Sequence, residues 1–176
     1  MKNSFQTIRK SLLAAALSVA LLGCGQQQEN SSSQETGNAV AETPKTSEDA
    51  MAFNAIIDAY IELKDALIAS DAEQAKAAAS QLEKSISSTN PTIKKIALNI
   101  SEAEELEAQR KAFFELSQNM TTYIADNKPE KAELYQQYCP MAFGNTGAYW
   151  ISNSKEVLNP YFGDKMLRCG KVEKQL

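Results

Sequence analysis

Hydrophobic and polar positions fall into distinct textures along this chain. Leu12 to Leu22 is an apolar run. It is shorter than the roughly 20 residues a spanning helix needs. Gly25 to about Ser47 is rich in Gln, Ser, Glu, Thr and Asn, with almost no large apolar side chains. Such a stretch cannot bury enough surface to offset its ordering entropy and reads as a flexible tether. From Glu48 to Ala69, Phe53, Ile56, Ile57, Tyr60, Leu63, Leu67 and Ile68 recur at three- and four-residue steps, one apolar face of a helix. Ser70 with Glu73 has the spacing of a capping box for a second, alanine-rich helix carrying Ala75, Ala78, Ala79, Leu82 and Ile86. After a connection at Ser87 to Asn90, Asn90-Pro91 predicts an N-cap and a proline at the first helical position. Ile93, Ile96, Ala97 and Ile100 give that short helix its face. Ser101 with Glu104 predicts a second capping box and a break. A long helix from about Glu102 to Asp126 then buries Leu106, Phe113, Leu116, Met120 and Ile124, ending at Asn127-Lys128-Pro129.

From Glu130 the texture changes. Leu134-Tyr135 to Tyr138 and Gly147 to Ile151 are short aromatic runs suited to β-strands. Pro140, Gly144, Asn145, Gly147, Asn159, Pro160, Gly163 and Gly170 punctuate them. The predicted fold is mainly α: an antiparallel helical bundle of three to four helices with a small irregular or β C-terminal segment. Tyr149-Trp150 and Tyr161-Phe162 are expected to plug the open end of the bundle.

The apolar run acquires meaning from its flanks. Lys2, Arg9 and Lys10 precede it, as in the n-region of a signal peptide. Leu21-Leu22-Gly23-Cys24 closes it and resembles the lipobox of bacterial lipoproteins. The expected organisation is a signal peptide over 1–23, a lipidated tether over 24–47 with Cys24 acylated, and one helical-bundle domain over 48–176. A diacylated, N-acylated cysteine holds a membrane stably, since more than one chain is buried. Gly25, rather than aspartate, follows Cys24, so the outer membrane is the expected location.

Loss of the leader removes three of the 18 basic residues and none of the 22 acidic ones, leaving a net charge of about −7. An acidic chain without a basic stripe argues against nucleic acid and against polybasic contact with anionic headgroups. Membrane contact is therefore expected through the lipid anchor only. The chain has no histidine. Ser-His-Asp and Cys-His catalysis both need an imidazole. So do mixed Cys/His zinc sites and c-type haem attachment. No glycine-rich phosphate loop or nucleophile–base pair is visible either, and the expectation is a protein that is not an enzyme. The acidic run Glu102 to Glu107 reads as a solvated helix start.

One constellation carries chemistry. Cys139-Pro140-Met141 and Met166-Leu167-Arg168-Cys169 each set a cysteine within three residues of a methionine. Thiolate and thioether ligands select soft ions, Cu(I) above all. Four sulfurs from two short segments could surround one ion, giving Cys139, Met141, Met166 and Cys169 as candidate ligands. The alternative is a Cys139–Cys169 disulfide, which suits an oxidising compartment. It would stabilise by roughly 3–4 kcal/mol on chain-entropy grounds, with the methionines as core filler. The Cys-x-x-Cys spacing of thiol oxidoreductases is absent.

The tail resembles a known family. Tyr138-Cys139-Pro140-Met141-Ala142-Phe143, Gly147 to Ser152, and Asn159-Pro160-Tyr161-Phe162-Gly163-Asp164-Lys165-Met166-Leu167-Arg168-Cys169-Gly170 are similar to the C-terminal signature of the domain-of-unknown-function family 3347. Tyr60 to Leu67 and Gln109 to Phe113 with Leu116-Ser117 resemble its helical part. The resemblance spans about Phe53 to Val172. Similar domains occur in Bacteroidetes as lipoproteins and fused to periplasmic adaptors of heavy-metal efflux pumps. What this implies is Cu(I) as ligand and an efflux adaptor or another periplasmic copper protein as partner. Cys139-Pro140-Met141 is also similar to the Cys-Pro-Met step of heavy-metal-binding domains, with Ala142 where those carry histidine. The expected function is a periplasm-facing lipoprotein binding Cu(I) for sequestration or delivery to efflux. The alternative is a disulfide-stapled structural or protein-interaction lipoprotein without metal.

Overall fold

The computed structural model describes residues 47–86, 90–128 and 133–176, all within the compact unit Glu42–Leu176. The leader, Cys24 and all of the expected tether except Ser47 lie outside the described residues. Ser47 already opens the first helix. Four long helices pack in succession: α1 (Ser47–Ile68), α2 (Ala72–Ser85), α3 (Pro91–Glu102) and α4 (Leu106–Asn127). The tail adds β1 (Tyr135–Cys139), a four-residue helical turn α5 (Ala142–Asn145), β2 (Ala148–Ser152), a 3-10 turn at Gly163–Lys165, and β3 (Lys171–Gln175). The sheet order is β2-β1-β3, antiparallel throughout. The mainly helical fold and the small terminal sheet thus agree with the apolar pattern. The third strand is new. Among the described residues no helix is long and apolar enough to cross a membrane.

The core follows the periodicity. Phe53, Ile56, Ile57, Tyr60, Leu63 and Leu67 of α1 are buried with Ala75, Ala79 and Leu82 of α2. Ile93, Ile96, Ala97 and Ile100 of α3 and Phe113, Leu116, Met120 and Ile124 of α4 complete the bundle. Alanine on α2 lets neighbouring helices approach closely, and it carries high helix propensity. Asn90 caps α3 as expected, its side chain accepting from the Ile93 N–H at 3.2 Å, with Pro91 in the first turn.

Both predicted capping boxes are corrected. Ser70 sits at φ +59° as the left-handed residue that closes α1. Its N–H bonds Leu67 O at 3.2 Å and the Asp71 N–H bonds Ala66 O at 3.0 Å, the two bonds of a Schellman motif. A residue closing one helix in that conformation cannot also hold the extended conformation of an N-cap. Asp71 caps α2 instead, accepting from the Gln74 N–H at 2.9 Å. Ser101 lies inside α3, with its hydroxyl donating back to Leu98 O at 2.8 Å. The helix break is real, but α4 starts after Glu105 without a side-chain cap. Glu104 reaches Lys76 on α2.

Aromatic side chains join the tail to the bundle. Tyr60 stacks on Phe113 (centroids 5.2 Å apart), Phe113 meets Tyr161 (5.9 Å), and Tyr161 meets Trp150 edge-on (5.9 Å) and Phe143 (5.3 Å). Trp150 and Tyr161 are buried, so the expected plug forms from them. Tyr149 faces solvent and packs, tilted, against the Tyr138 ring of β1 (centroids 4.5 Å apart). Two tyrosine hydroxyls also satisfy the outer edge of β2. Tyr60 Oη accepts from the Ile151 N–H at 3.1 Å, and Tyr161 Oη donates to Tyr149 O at 2.5 Å. At the opposite edge β3 presents Lys171, Glu173 and Lys174, charges that discourage edge-to-edge pairing.

A buried arginine locks this arrangement. Arg110 on α4 donates from Nε to Pro160 O (3.0 Å) and from Nη2 to Leu67 O (3.1 Å) and Ser70 Oγ (3.0 Å). Its Nη1 donates to Glu107 Oε1 at 2.8 Å. Ser70 in turn donates to Asp164 Oδ1 at 2.9 Å, a bond that holds the Asp164 carboxyl below its ordinary pKa. Gly163 (φ +57°) lies against this cluster, and a Cβ there would run into Ser70 Oγ and stand 2.8 Å from Arg110 Nη2.

The Arg110 side chain is 2% exposed and that of Glu107 71%. Replacing Arg110 by methionine leaves the Pro160 carbonyl without its donor and Leu67 O with the Ser70 N–H alone. At roughly 1–3 kcal/mol for the unpaired buried carbonyl, with the charge-assisted bonds to Leu67 O and Ser70 Oγ lost as well, Arg110→Met should destabilise by about 3 kcal/mol. Glu107→Ala should cost less than about 1 kcal/mol, because its ion pair is open to water. Gly163→Ala should cost about 2–3 kcal/mol from left-handed strain and overpacking. Urea denaturation of the three variants checks the ranking.

Candidate functional site

The two candidate cysteines reach one place by different routes. Cys139 ends β1, paired with Ala148 of β2, and is fully buried. Cys169 lies just before β3 and is half-buried. Its N–H closes a turn onto Met166 O at 3.0 Å. Asn159 organises the loop that carries it. Asn159 is fully buried, donates from Nδ2 to Cys169 O at 2.7 Å, and accepts at Oδ1 from the Tyr161 N–H at 2.8 Å. Its own N–H bonds Leu167 O at 2.8 Å. One side chain thus fastens both ends of the segment from Asn159 to Cys169.

The result is a sulfur–sulfur contact. Cys139 Sγ and Cys169 Sγ stand 2.9 Å apart across 30 residues of sequence, and both cysteines are free thiols. The hydrogen bond with Cys139 and, to a lesser degree, burial push the Cys169 thiol up from an ordinary 9.0 to about 11. The Met141 backbone N–H pulls the other way, stabilising the thiolate. Tyr161 lies close enough to feel the charge of Cys139, and burial holds its phenol far above the ordinary tyrosine value.

The methionines are placed less alike. Met141 follows the end of β1 with its amide against Cys169 and a side chain 47% exposed. Met166 ends the 3-10 turn, half-buried, and supplies the carbonyl that the Cys169 N–H meets. The structure therefore brings Cys139 and Cys169 into contact and sets both methionines within a turn of the pair. Between Met141 and Gly147 the chain makes an unusual bend, with Phe143, Gly144 and Asn145 at φ +50°, +67° and +71° in succession. Non-glycine residues in this region carry strain, and here the bend leaves Met141 and Phe143 exposed.

Among the described residues, no group of three or more His, Cys, Asp or Glu side chains could hold a metal ion. A metal at this place would have two thiolates and take any further donor from a thioether or the backbone. That donor set fits a soft, low-coordinate ion and suits zinc poorly, which takes four ligands in closed sites. Trp150 borders the site through its neighbour. A Cβ on Gly170, next to Cys169, would stand 2.9 Å from the Trp150 ring.

Two residues that organise the site are not singled out by residue-type reasoning. Asn159 reads as a loop asparagine, although Asn-Pro before an aromatic pair is a turn signal. Gln137, buried in β1, donates to Ser154 O (2.9 Å) and Glu156 O (3.0 Å) and holds the loop after β2. Nothing in its sequence context marks it.

No curated protein and no solved structure matches this chain significantly. A family profile matches residues 56–132, which run from α1 to just past α4. The cysteine-bearing tail lies beyond the matched residues. Over those helices the chain is similar to the family described as Protein of unknown function (DUF3347).

Proposed function

We propose that this domain binds one soft metal ion, Cu(I), through Cys139 and Cys169, with Met141 and Met166 completing or tuning the site. The observation that carries this reading is the meeting of two thiols at 2.9 Å from segments otherwise far apart in sequence. The half-buried position of Cys169 and the exposed Met141 side chain leave a way in for an ion. Soft sulfur donors without histidine favour Cu(I) over Cu(II) or zinc. The lipobox-like Leu21 to Cys24 motif supports the reading of a module on the periplasm-facing envelope that sequesters copper or hands it to an efflux adaptor. The chemistry is binding rather than catalysis.

The alternative is a Cys139–Cys169 disulfide that staples the tail of an interaction lipoprotein. One observation favours it: the sulfurs are already closer than two ligands of a shared ion. Non-reducing digestion and mass spectrometry of the native protein separate the readings. A quantitative disulfide with no copper in protein from copper-fed cells supports the staple.

Competition of the reduced protein against a chromogenic Cu(I) chelator tests the leading reading. The reduced chain should take up one equivalent, and the Cys139→Ser/Cys169→Ser double variant should lose at least about 100-fold in affinity, some 2.8 kcal/mol. Met141→Ala should lose roughly tenfold. Equal affinity in the double variant sinks the proposal. Because thiols must lose their protons to the metal, affinity should rise with pH.

The raised Cys169 pKa makes a separate prediction. At pH 8 its reaction with iodoacetamide should be at least roughly tenfold slower than that of an ordinary thiol, because only the thiolate reacts. The rate should climb as the pH approaches the shifted value. Cys139→Ser, which removes the largest cause of the shift, should bring the Cys169 rate back toward normal. Peptide-resolved mass spectrometry reads both.

A further inference from the structure

We propose that the Cys139–Cys169 pair is a redox gate on its own metal site: disulfide formation and metal binding exclude one another, and a low-molecular-weight disulfide drives release of the ion. The inference rests on the reading of the pair as a soft-metal site and names the regulation of that site.

Distance is the first argument. The sulfurs stand 2.9 Å apart. A disulfide closes this to ~2.05 Å. Two sulfurs sharing one ion at bonds of ~2.3 Å must open to roughly 4 Å at a trigonal angle. The contact lies between the two states, and each is reached by a movement of about 1 Å in opposite directions. No single arrangement serves both.

The second argument is the supporting frame. Cys139 is held in the strand ladder by Ala148. The loop before Cys169 is held by Asn159 and by the Arg110 bond to Pro160. Neither anchor uses the sulfurs, so the pair can close or open while the surrounding hydrogen bonds remain. Access is asymmetric: Cys139 is fully buried and Cys169 half-buried. An incoming disulfide RSSR therefore meets Cys169 first.

The chemistry balances in two exchanges. The Cys169 thiolate attacks one sulfur of RSSR, forming a mixed disulfide and expelling RS⁻. The Cys139 thiolate then attacks Cys169 Sγ, forming the internal disulfide and expelling a second RS⁻. Two electrons pass from the protein sulfurs to RSSR, and the ion leaves as Cu(I), its oxidation state unchanged, to the expelled thiolates or another acceptor.

The test uses the full-length wild-type chain in detergent, anaerobically, with oxidised glutathione as RSSR and a chromogenic Cu(I) chelator as acceptor. Thiol state is read by mass spectrometry with and without copper. The expected result is one Cu(I) bound by the reduced protein. Oxidised glutathione should then release it stoichiometrically, with loss of two hydrogens from the chain and no retained glutathione. Cys139→Ser should trap one glutathione on Cys169. Retention of copper in the presence of the disulfide, or release without an internal bond, overturns the gate alone. Failure of the reduced protein to bind copper overturns the metal reading and the gate with it. The copper-free arm still reports in that case whether the two thiols close.

Discussion

The Arg110 guanidinium ties three segments that would otherwise have no common anchor. It joins the end of α1 through Leu67 O and Ser70, its own helix through Glu107, and the tail through Pro160 O. Burying a guanidinium is costly unless its donors are matched, and a rigid fork of donors suits several fixed acceptors at once. The match explains details that look unrelated. Ser70 occupies the left-handed position where glycine is usual because its hydroxyl links Arg110 to Asp164. Gly163 is glycine because a side chain would displace that hydroxyl.

The tail is organised around this anchor. With Pro160 fixed, Asn159 presents its amide to the loop and sets Cys169 against the end of β1. Tyr161 enters the aromatic column between Phe113 and Trp150 and hydrogen-bonds the edge of β2. The bundle thus serves as a rigid base, and the thiol pair sits where the base, the sheet and the loop meet. The anchors that hold the two cysteines, the β1–β2 ladder and the Asn159 side chain, do not use the sulfurs.

Much of the helical architecture is legible in the chain. The apolar stripes of α1 and α4 identify most of the buried apolar residues, although Ile68 and Leu106 at their ends are only half-buried, and Asn90-Pro91 marks the start of α3. The cap positions are less legible, because Ser70 and Ser101 satisfy a local spacing rule but are claimed by other bonds. At Ser70 the claim comes from Arg110, 40 residues away. β3 escapes notice because Lys171, Val172, Glu173, Lys174 and Gln175 have no buried face, and only pairing with β1 makes them a strand. The two cysteine–methionine steps are visible as candidates, but nothing local says which sulfurs touch.

What the sequence by itself determined is therefore what depends on neighbours along the chain. Helix faces, helix stops and the kinds of donor available follow from periodicity, from proline and from the absence of histidine. Tertiary structure decided what depends on non-local closure: the docking of the tail on Arg110, the third strand, and the contact of Cys139 with Cys169. The physical reason is that helical hydrogen bonds close within four residues, so their pattern is written locally. A thiol pair separated by 30 residues meets only after a sheet and a buried asparagine have fixed both of its ends.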